Sequence, residues 1–507
     1  MKKLTITICL LFTLLFVAGC ANETPMPVTT MPPDTTNVPT TAVPTTVPEP
    51  TEPALYTPAE GSILNKIPYY GYAGAAKIRT LSHDGTYAKQ ATLSDTVTTK
   101  DMLGGGEMLM FSKVKDDSGL IAYRDALASW GYTLYAENVM LKCQYDTWVS
   151  DDTVVTLMYM PGYKRLHIIA EPMRALPARQ QENQYTDLGI ENKIIMISCH
   201  FMNQHNGACS VFQLCDGSFL IVDSGQGWHQ RNTEKYKDHY QNNAKEIYHV
   251  LAQYSPDRDG DGDKDKDDIV IAAWFFTHPH MDHMGGYPIF AQLFADKVTL
   301  EQVVFNLPNE EITEHFTDGY LAASGDKEIT GEYVELLETF TTEYFPTARL
   351  VEAHPGQVYY IRDAVIEMLY TWELDWKMPN RCNSLSLVFT VALGDTKIMV
   401  PGDCGESATK IIQKLYKSYL RSDIMFVVHH GYPGASEVLN SLIGADVVLW
   451  STTDYHYEQV KNAGYNLPLQ RADATYVAGN RVTVISLPYL GEESVSVSPA
   501  SQPFLQP

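Results

Sequence analysis

The chain has 507 residues, 45% of them apolar, and carries a formal net charge of −24. That length suffices for two or three domains with substantial cores. The acidic balance opposes stable binding to duplex nucleic acid, whose affinity comes largely from Lys and Arg on phosphates, and leaves open a small anionic substrate held through metal ions.

Residues 1–20 read as an export signal: Lys2-Lys3, then an apolar run from Leu4 to Val17, then Val17-Ala18-Gly19-Cys20. The run is short for a membrane span and its flanks suit a signal peptide. The ending resembles the bacterial lipobox. The resemblance implies that Cys20 is lipidated and that the protein sits on the outer face of the bacterial cytoplasmic membrane or at the cell surface. An ordinary cleaved signal is the alternative. Residues 21–59 form a Pro/Thr-rich linker. Ten prolines and eleven threonines fall between 21 and 58, with no glycine. Such a stretch buries no core and is extended. As polyproline II it reaches on the order of 100 Å, a stalk or simply an unstructured tail. The remaining cysteines, Cys143, Cys199, Cys209, Cys215, Cys382 and Cys404, form no CxxC pair, which argues against a zinc ribbon. Disulfides and isolated buried thiols both remain open.

Residues 60–183 read as a small α+β domain. Asp117 to Gly131 has helical spacing. Tyr132–Tyr135, Val139–Gln144, Thr153–Met160 and Arg165–Ile169 read as strands of an antiparallel meander. Gly104-Gly105-Gly106 is a flexible loop rather than a phosphate cradle. A second domain spans 184–490, with 491–507 as a C-terminal tail. Its strands are Lys193–Cys199, Cys209–Leu214 and Ser218–Val222, the last running into Asp223. Lys235–Tyr254 is a helix. Asp257 to Asp268 then places seven aspartates in twelve residues. Oxygen donors at Asp257, Asp259, Asp261 and Asp265, glycine at position six and Asp268 at position twelve match a calcium loop, with Asp263 adding charge. A flexible acidic hairpin is the alternative.

The buried-strand run Ile269–Phe276 ends in Thr277-His278-Pro279-His280-Met281-Asp282-His283, three histidines and an aspartate within six residues. Downstream, Lys297–Leu307 is a strand and 308–345 an insertion with a helix near Glu332–Tyr344. Val358–Tyr360 pairs with Ala364–Tyr370, and Cys382–Ala392 with Thr396–Val400. The last of these ends at Pro401-Gly402-Asp403. A helix from Gly405 to Leu420 is followed by strand Asp423–Val428, which ends at His429-His430-Gly431. Ser436–Ile443 is helical and Val447–Trp450 a strand. Strand ends thus carry Asp223, the 278–283 cluster, Asp403 and His429-His430. Imidazoles and carboxylates in this number suit two divalent transition metals, which together activate a water and stabilise a leaving oxygen.

HxHxDH after an apolar strand, a later Gly-Asp and a terminal His resemble the metallo-β-lactamase superfamily over residues 193–490. The resemblance implies an α/β fold of the αββα sandwich type, with His278 and His280 on a first metal, Asp282 and His283 on a second, Asp403 bridging, and His429 (favoured over His430) as last ligand. Asp223 resembles the family's early supporting aspartate. Zinc or manganese is the metal pair expected. The family's usual third first-metal histidine is missing: Cys382-Asn383-Ser384-Leu385-Ser386-Leu387-Val388 stands at that place. This segment and His429-His430-Gly431 resemble the ComEC C-terminal branch, which implies phosphoester or phosphodiester cleavage. On that reading Asp282 orients water, His430 donates to the leaving group, and Asn383 or a water completes the first metal. His315 and His354 are other candidates to fill the gap. The expected substrate is a small-molecule, cell-wall or nucleotide phosphoester. A lactonase or β-lactamase reaction, and a non-catalytic, calcium-braced wall-binding lipoprotein, are the alternatives.

Overall fold

A computed structural model describes residues 58, 60–70, 105–200, 206–227, 236–307, 336–374 and 382–500, and the backbone of 77–79. Cys20, Gly104 and His315 lie outside the described residues, as does most of the linker and of the 308–345 insertion.

The N-terminal part comprises β1 (Lys77–Arg79), β2 (Glu107–Ser112), α1 (Ser118–Ser129), β3 (Thr133–Met140), β4 (Cys143–Val149), β5 (Thr153–Met160) and β6 (Arg165–Pro172). The sheet runs β1-β2-β6-β5-β4-β3, with all neighbours antiparallel. Two sequence expectations are corrected. Tyr132–Tyr135 and Val139–Gln144 are not separate strands. Thr133–Met140 is one strand, and the chain turns at Leu141, whose φ is +56°. Strand β2 went unread because Glu107-Met108-Leu109-Met110-Phe111 is buried on both faces and lacks a polar alternation. Its one acid is accommodated by partners: Glu107 accepts hydrogen bonds from the Ser62 hydroxyl and the Leu64 amide.

The second part follows the expected order closely: β7 (Lys193–Ile197), β8 (Ser210–Gln213), β9 (Phe219–Val222), α2 (Lys237–Tyr254), β10 (Val270–Phe275), α3 (Met281–Met284), α4 (Gly286–Phe294), β11 (Thr299–Leu300), β12 (Gln302–Phe305) and β13 (Arg349–Glu352). Then come β14 (Val358–Ile361), β15 (Ala364–Tyr370), β16 (Val388–Leu393), β17 (Thr396–Val400), α5 (Glu406–Tyr416), β18 (Ile424–Phe426), α6 (Glu437–Ile443), β19 (Val447–Trp450), α7 (Asp454–Val460), β20 (Ala474–Val477), β21 (Arg481–Ser486) and β22 (Val495–Pro499). One sheet has the order β13-β12-β10-β9-β8-β7-β21-β22, with β11 beside β10; the other runs β14-β15-β16-β17-β18-β19-β20. Val495–Pro499, expected in the tail, pairs antiparallel with β21 and forms an edge of the first sheet. Cys382–Leu385, expected as strand, is a single 3-10 turn; pairing starts only at Val388 with β15 and at Phe389 with β17.

Alternation along the strands makes the layers. In β7, Ile195 and Ile197 face α2 and α4, contacting a core that includes Ile247, Leu251 and Phe290. Ile194 and Met196 face the other way and join Phe275, Met368, Phe389 and Phe426 between the two sheets. The outer face of the second sheet, including Met399, Met425 and Val448, is covered by Ile412 and Leu415 of α5 and Leu439 of α6. Helix, sheet, sheet, helix is the αββα sandwich. The N-terminal sheet extends this packing. Its α1 face holds Leu120, Tyr123 and Leu127 against Phe111, Leu157 and Ile168. Its opposite face, with Met108, Met158, Met160 and Ile169, lies in the same core as α5. Residues 52–507 accordingly form one compact unit.

Candidate metal centre

Strands β9, β10 and β12 run parallel, so their carboxyl ends open on one edge of the first sheet. The carboxyl ends of β17 and β18, also parallel, meet them there from the second sheet. Asp223 follows β9 with φ +58°. Its carboxylate accepts from the Thr277 amide at 2.8 Å and hydroxyl at 2.8 Å, and from His283 Nδ1 at 2.7 Å. Asp223 thus ties the strand end to the histidine cluster. Thr277, which sequence reasoning did not single out, also lies 3.1 Å from His278 Nδ1. The closeness of these segments depends on glycine. A Cβ on Gly286 would stand 2.1 Å from the Ser224 carbonyl oxygen.

The hub is Asp403, buried after β17, its amide donating to Ser386 Oγ at 3.1 Å. Its Oδ2 lies 3.2 Å from His283 Nε2, 3.6 Å from His278 Nε2, 3.7 Å from His430 Nε2 and 3.8 Å from His429 Nε2. Asp282 Oδ2 stands 3.3 Å from His430 Nε2 and 4.0 Å from His283 Nε2. His278 Nε2 and His280 Nδ1 are 3.0 Å apart, and His283 Nε2 and His430 Nε2 3.1 Å. Three sets of donor atoms thereby converge closely enough to share an ion: His278, His283 and Asp403; Asp282, His283 and His430; and, elsewhere, Asp257, Asp259 and Asp268.

The outer ring nitrogens are fixed by acceptors. His430 Nδ1 donates to the Ser451 carbonyl at 2.6 Å, and His429 Nδ1 to the Pro433 carbonyl at 2.8 Å. A carbonyl only accepts, so Nδ1 carries the proton and Nε2 turns its lone pair inward. His283, with Nδ1 against the Asp223 carboxylate, is arranged alike. The carbonyls of Ser451 and Pro433 were beyond sequence reasoning, because a backbone acceptor leaves no residue signature.

The sequence favoured His429 over His430 as the last ligand, without saying which of them stands beside Asp282 and His283. The structure places His430 there, nearly fully buried, with His429 on the Asn383 side, Nε2 accepting from Asn383 Nδ2 at 2.9 Å. The cause is local. In an extended strand two adjacent side chains point to opposite faces. Here both residues are left-handed, His429 at φ 53°, ψ 43° and His430 at φ 52°, ψ 14°, so both rings reach Asp403. Each such residue costs on the order of 1–2 kcal/mol. Asn383 reaches the site because the 382–385 turn is anchored by Tyr370, whose hydroxyl donates to the Ser384 carbonyl at 3.1 Å. His354, a candidate for the missing ligand, lies elsewhere, between Glu171 and Glu373 at 2.9 and 3.0 Å.

Burial disfavours every charge here, yet the charges offset one another. Desolvation raises the affinity of Asp403 for a proton, but His283, His430, His429 and His278 together hold it well below the carboxylate range. Asp282 is held low against its burial by His283 and His430. Burial lowers His283, while Asp403, Asp223 and Asp282 raise it well above the usual imidazole value. His278 is pushed well down by burial and by His283. Four imidazoles around one carboxylate oxygen, with a second carboxylate beside them, fit divalent ions of the kind that accept nitrogen and oxygen donors. A cavity of about 30 Å³ borders His283, Asp403 and His430, room for one or two water-sized groups. A larger cavity of about 260 Å³, lined in part by Tyr135, Asn138, Arg179 and Tyr360, contains none of these residues.

Of the calcium-loop residues, Asp257, Asp259 and Asp268 converge. Asp261, Asp263 and Asp265 are not part of the convergent group, although Asp261 and Asp265, like Asp257 and Asp259, accept from loop amides. Asp268 is buried and accepts from the Arg258 amide. All six cysteines of the folded part are buried free thiols.

No protein-family model matches the sequence, and no curated protein matches it. Solved structures give fold-level likeness. CmlA, a diiron β-hydroxylase from Streptomyces venezuelae, is 10% identical, with a TM-score of 0.33 over 59% of this chain and 54% of that one; the chain spans about half of CmlA's length. The metallo-β-lactamase fold protein YhfI from Bacillus subtilis is 14% identical, with a TM-score of 0.31 over 57% of this chain and 98% of that one. The hydrolase AbOPH, of the β-lactamase superfamily, is 13% identical, with a TM-score of 0.21 over 51% and 73%.

Proposed function

We propose that the protein is an exported, lipid-anchored, metal-dependent hydrolase that cleaves a phosphoester or phosphodiester. The observation that carries the hydrolase reading is the placement of four inward-facing imidazole nitrogens within 3.2–3.8 Å of one buried oxygen of Asp403. Two divalent ions, zinc or manganese, would supply a water of lowered pKa and positive charge for the leaving oxygen. His278 and His280 would hold one ion and Asp282, His283 and His430 the other, with the Asp403 carboxylate within reach of both sets. Asp282, whose side chain is partly exposed, would accept a hydrogen bond from the attacking water and orient it. Asp223 and Thr277 keep the His283 and His278 rings turned toward the ions.

The phosphoester preference is supported by the pattern Asn383-Ser384 before Ser386-Leu387-Val388 and by His429-His430-Gly431. A small anionic substrate also agrees with the chain's acidity, since its charge is met by ions rather than by a basic surface. Localisation rests on Cys20 and its preceding apolar run. Among the described residues, no helix is long and apolar enough to cross a membrane. A calcium ion at Asp257, Asp259 and Asp268 would brace the start of β10; it would have a structural role.

Purified protein is assayed with added Mn²⁺ or Zn²⁺ on bis-p-nitrophenyl phosphate, lactones and β-lactams, with Asp282→Asn as control. Turnover of the phosphodiester that Asp282→Asn abolishes is expected. Turnover only of the lactone or β-lactam moves the substrate class while keeping the centre. Metal-loaded protein inactive on all three removes the hydrolase reading. Calcium alone, without a transition metal, would favour the non-catalytic wall-binding alternative, which the Asp257–Asp268 convergence supports.

A further inference from the structure

The larger cavity, of about 260 Å³, is bordered by the N-terminal sheet, by the 177–181 connector and by the segment 355–360 that opens β14. No residue of the metal centre lines it. Two buried side chains that do line it carry polar atoms with no hydrogen-bond partner among the described residues. Thr156 is 1% exposed and Gln357 6%, yet the Thr156 hydroxyl and Gln357 Nε2 are both unpartnered. We propose that this cavity binds a neutral saccharide, whose oxygens receive the Gln357 amide and the Thr156 hydroxyl.

The aim of both groups follows from their neighbours. Thr156 of β5 stands directly opposite Thr147 of β4, and strand residues two apart share a face. Met158, two residues after Thr156, and Tyr145, two before Thr147, both lie in the core shared with α5. Both threonines therefore point toward the second part, where the cavity lies. Gln357 Oε1 accepts from the His354 amide at 2.9 Å and from the Tyr359 hydroxyl at 3.1 Å. These donors fix the oxygen on their side, so the two N–H groups of Nε2 face the other way and need an acceptor. A buried donor without one is unfavourable, and a ligand oxygen relieves it. The rest of the wall sets the ligand class. Its inner charges are already paired: Asp146 with Arg124 at 2.5 and 2.6 Å, and Arg179 with Glu182 at 2.7 Å. Glu137 is exposed. A charged ligand would find no free counter-charge inside. Tyr135, Tyr145 and Tyr360 border the space, and a tyrosine ring offers an apolar surface to the C–H face of a sugar. The volume is somewhat below the ~300 Å³ at which pockets for drug-sized ligands begin, which suits about one sugar ring with its substituents.

Binding is measured by titration calorimetry of the full-length protein with glucose, N-acetylglucosamine, cellobiose and N,N′-diacetylchitobiose, with choline as a cationic comparison. Thr156→Val keeps the shape and removes the hydroxyl; Thr156→Ser keeps the hydroxyl. Gln357→Glu keeps the acceptor for His354 and Tyr359 and removes the N–H donors. At least one saccharide is expected to bind the wild type at millimolar concentration or below. Thr156→Val and Gln357→Glu are expected to weaken it about 5–100-fold, and Thr156→Ser to leave it nearly unchanged. Without sugar, Thr156→Val is expected to melt no lower than wild type, since its hydroxyl has no partner to lose; a clearly lower melting temperature would reveal a partner within the protein and overturn the site. Sedimentation with insoluble cell-wall glycan, competed by the bound sugar, tells a polymer from a free saccharide, and either source supports the site. No saccharide binding at millimolar concentration, binding of choline alone, or equal affinity in wild type and Thr156→Val would overturn it. The readout is binding, so failure of the hydrolase reading would leave this result untouched.

Discussion

Asp223 shows how a single residue beyond the cluster can control it. Its carboxylate receives Thr277 through two groups and His283 Nδ1 at 2.7 Å. Replacing it by Asn keeps the shape but sets an amide, half of which is a donor, against a ring nitrogen that must itself donate. Asp223→Asn should weaken the Asp282–His283–His430 position by about 10–100-fold with little change in fold, as read by zinc titration against a chromophoric chelator. An unchanged affinity would show that the backbone alone orients His283. Ser386→Ala addresses the opposite support. Its hydroxyl accepts the Asp403 amide in a buried place, and removing it should cost about 1–3 kcal/mol of stability, measured by urea denaturation.

At the scale of elements, the buried ion cluster of His354, Glu171 and Glu373 links β6 to the segments after β13 and β15. Burial lowers the affinity of His354 for a proton, but the two carboxylates outweigh it and push its pKa up to about 10, against about 6.5 in an unfolded chain. The folded state binds this proton more tightly, so the cluster's full stabilisation is present below about pH 6.5 and is lost as pH rises toward 10. His354→Gln, which leaves buried Glu373 without a cationic partner and Glu171 with only Arg174 at 3.6 Å, should cost about 3–5 kcal/mol near pH 6. The gap in melting temperature between variant and wild type should narrow steadily up to pH 10; a gap independent of pH would refute the charged cluster. Such a cluster is invisible in sequence, because its three members are 183 and 19 residues apart. What was legible is equally physical. The strand β10 and the cluster at its end could be read because an apolar run of strand length meets four donors at fixed spacing. The β16–β17 hairpin could be read because Gly394-Asp395 marks its turn. The choice between His429 and His430 could not, since it depends on two left-handed residues that no local rule demands of histidine. Strand β22 read as tail because only one face of Val495–Pro499 meets the protein, and most of its residues are exposed.

For the whole molecule, the decisive feature is that α5 is covered on both sides. Ile412, Leu415 and Tyr416 share a core with Met399 and Met425 of the second sheet and with Met158, Met160 and Ile169 of the N-terminal sheet. Tyr145 and Tyr416 join their hydroxyls at 2.6 Å across the junction. A Cβ on Gly356 would stand 2.0 Å from the Tyr145 ring. The sequence boundary near 183 therefore marks a change of chain pattern, not a gap in packing. Two halves sharing a core of this kind unfold together. Calorimetry of the metal-loaded protein should show one transition covering both parts. Met158→Ala, in the N-terminal sheet, should lower it by about 2–5 kcal/mol and should loosen the metal centre only as the whole protein unfolds. Removing the metal with a chelator should lower the same single transition, by about 4 kcal/mol for each ion present at a thousand times its dissociation constant. A chain beginning at residue 184 would expose the apolar face of α5 and should aggregate. If that fragment instead stayed soluble and monomeric and retained its metals, the N-terminal sheet would be an appendage, and the shared core would contribute little to holding the centre together.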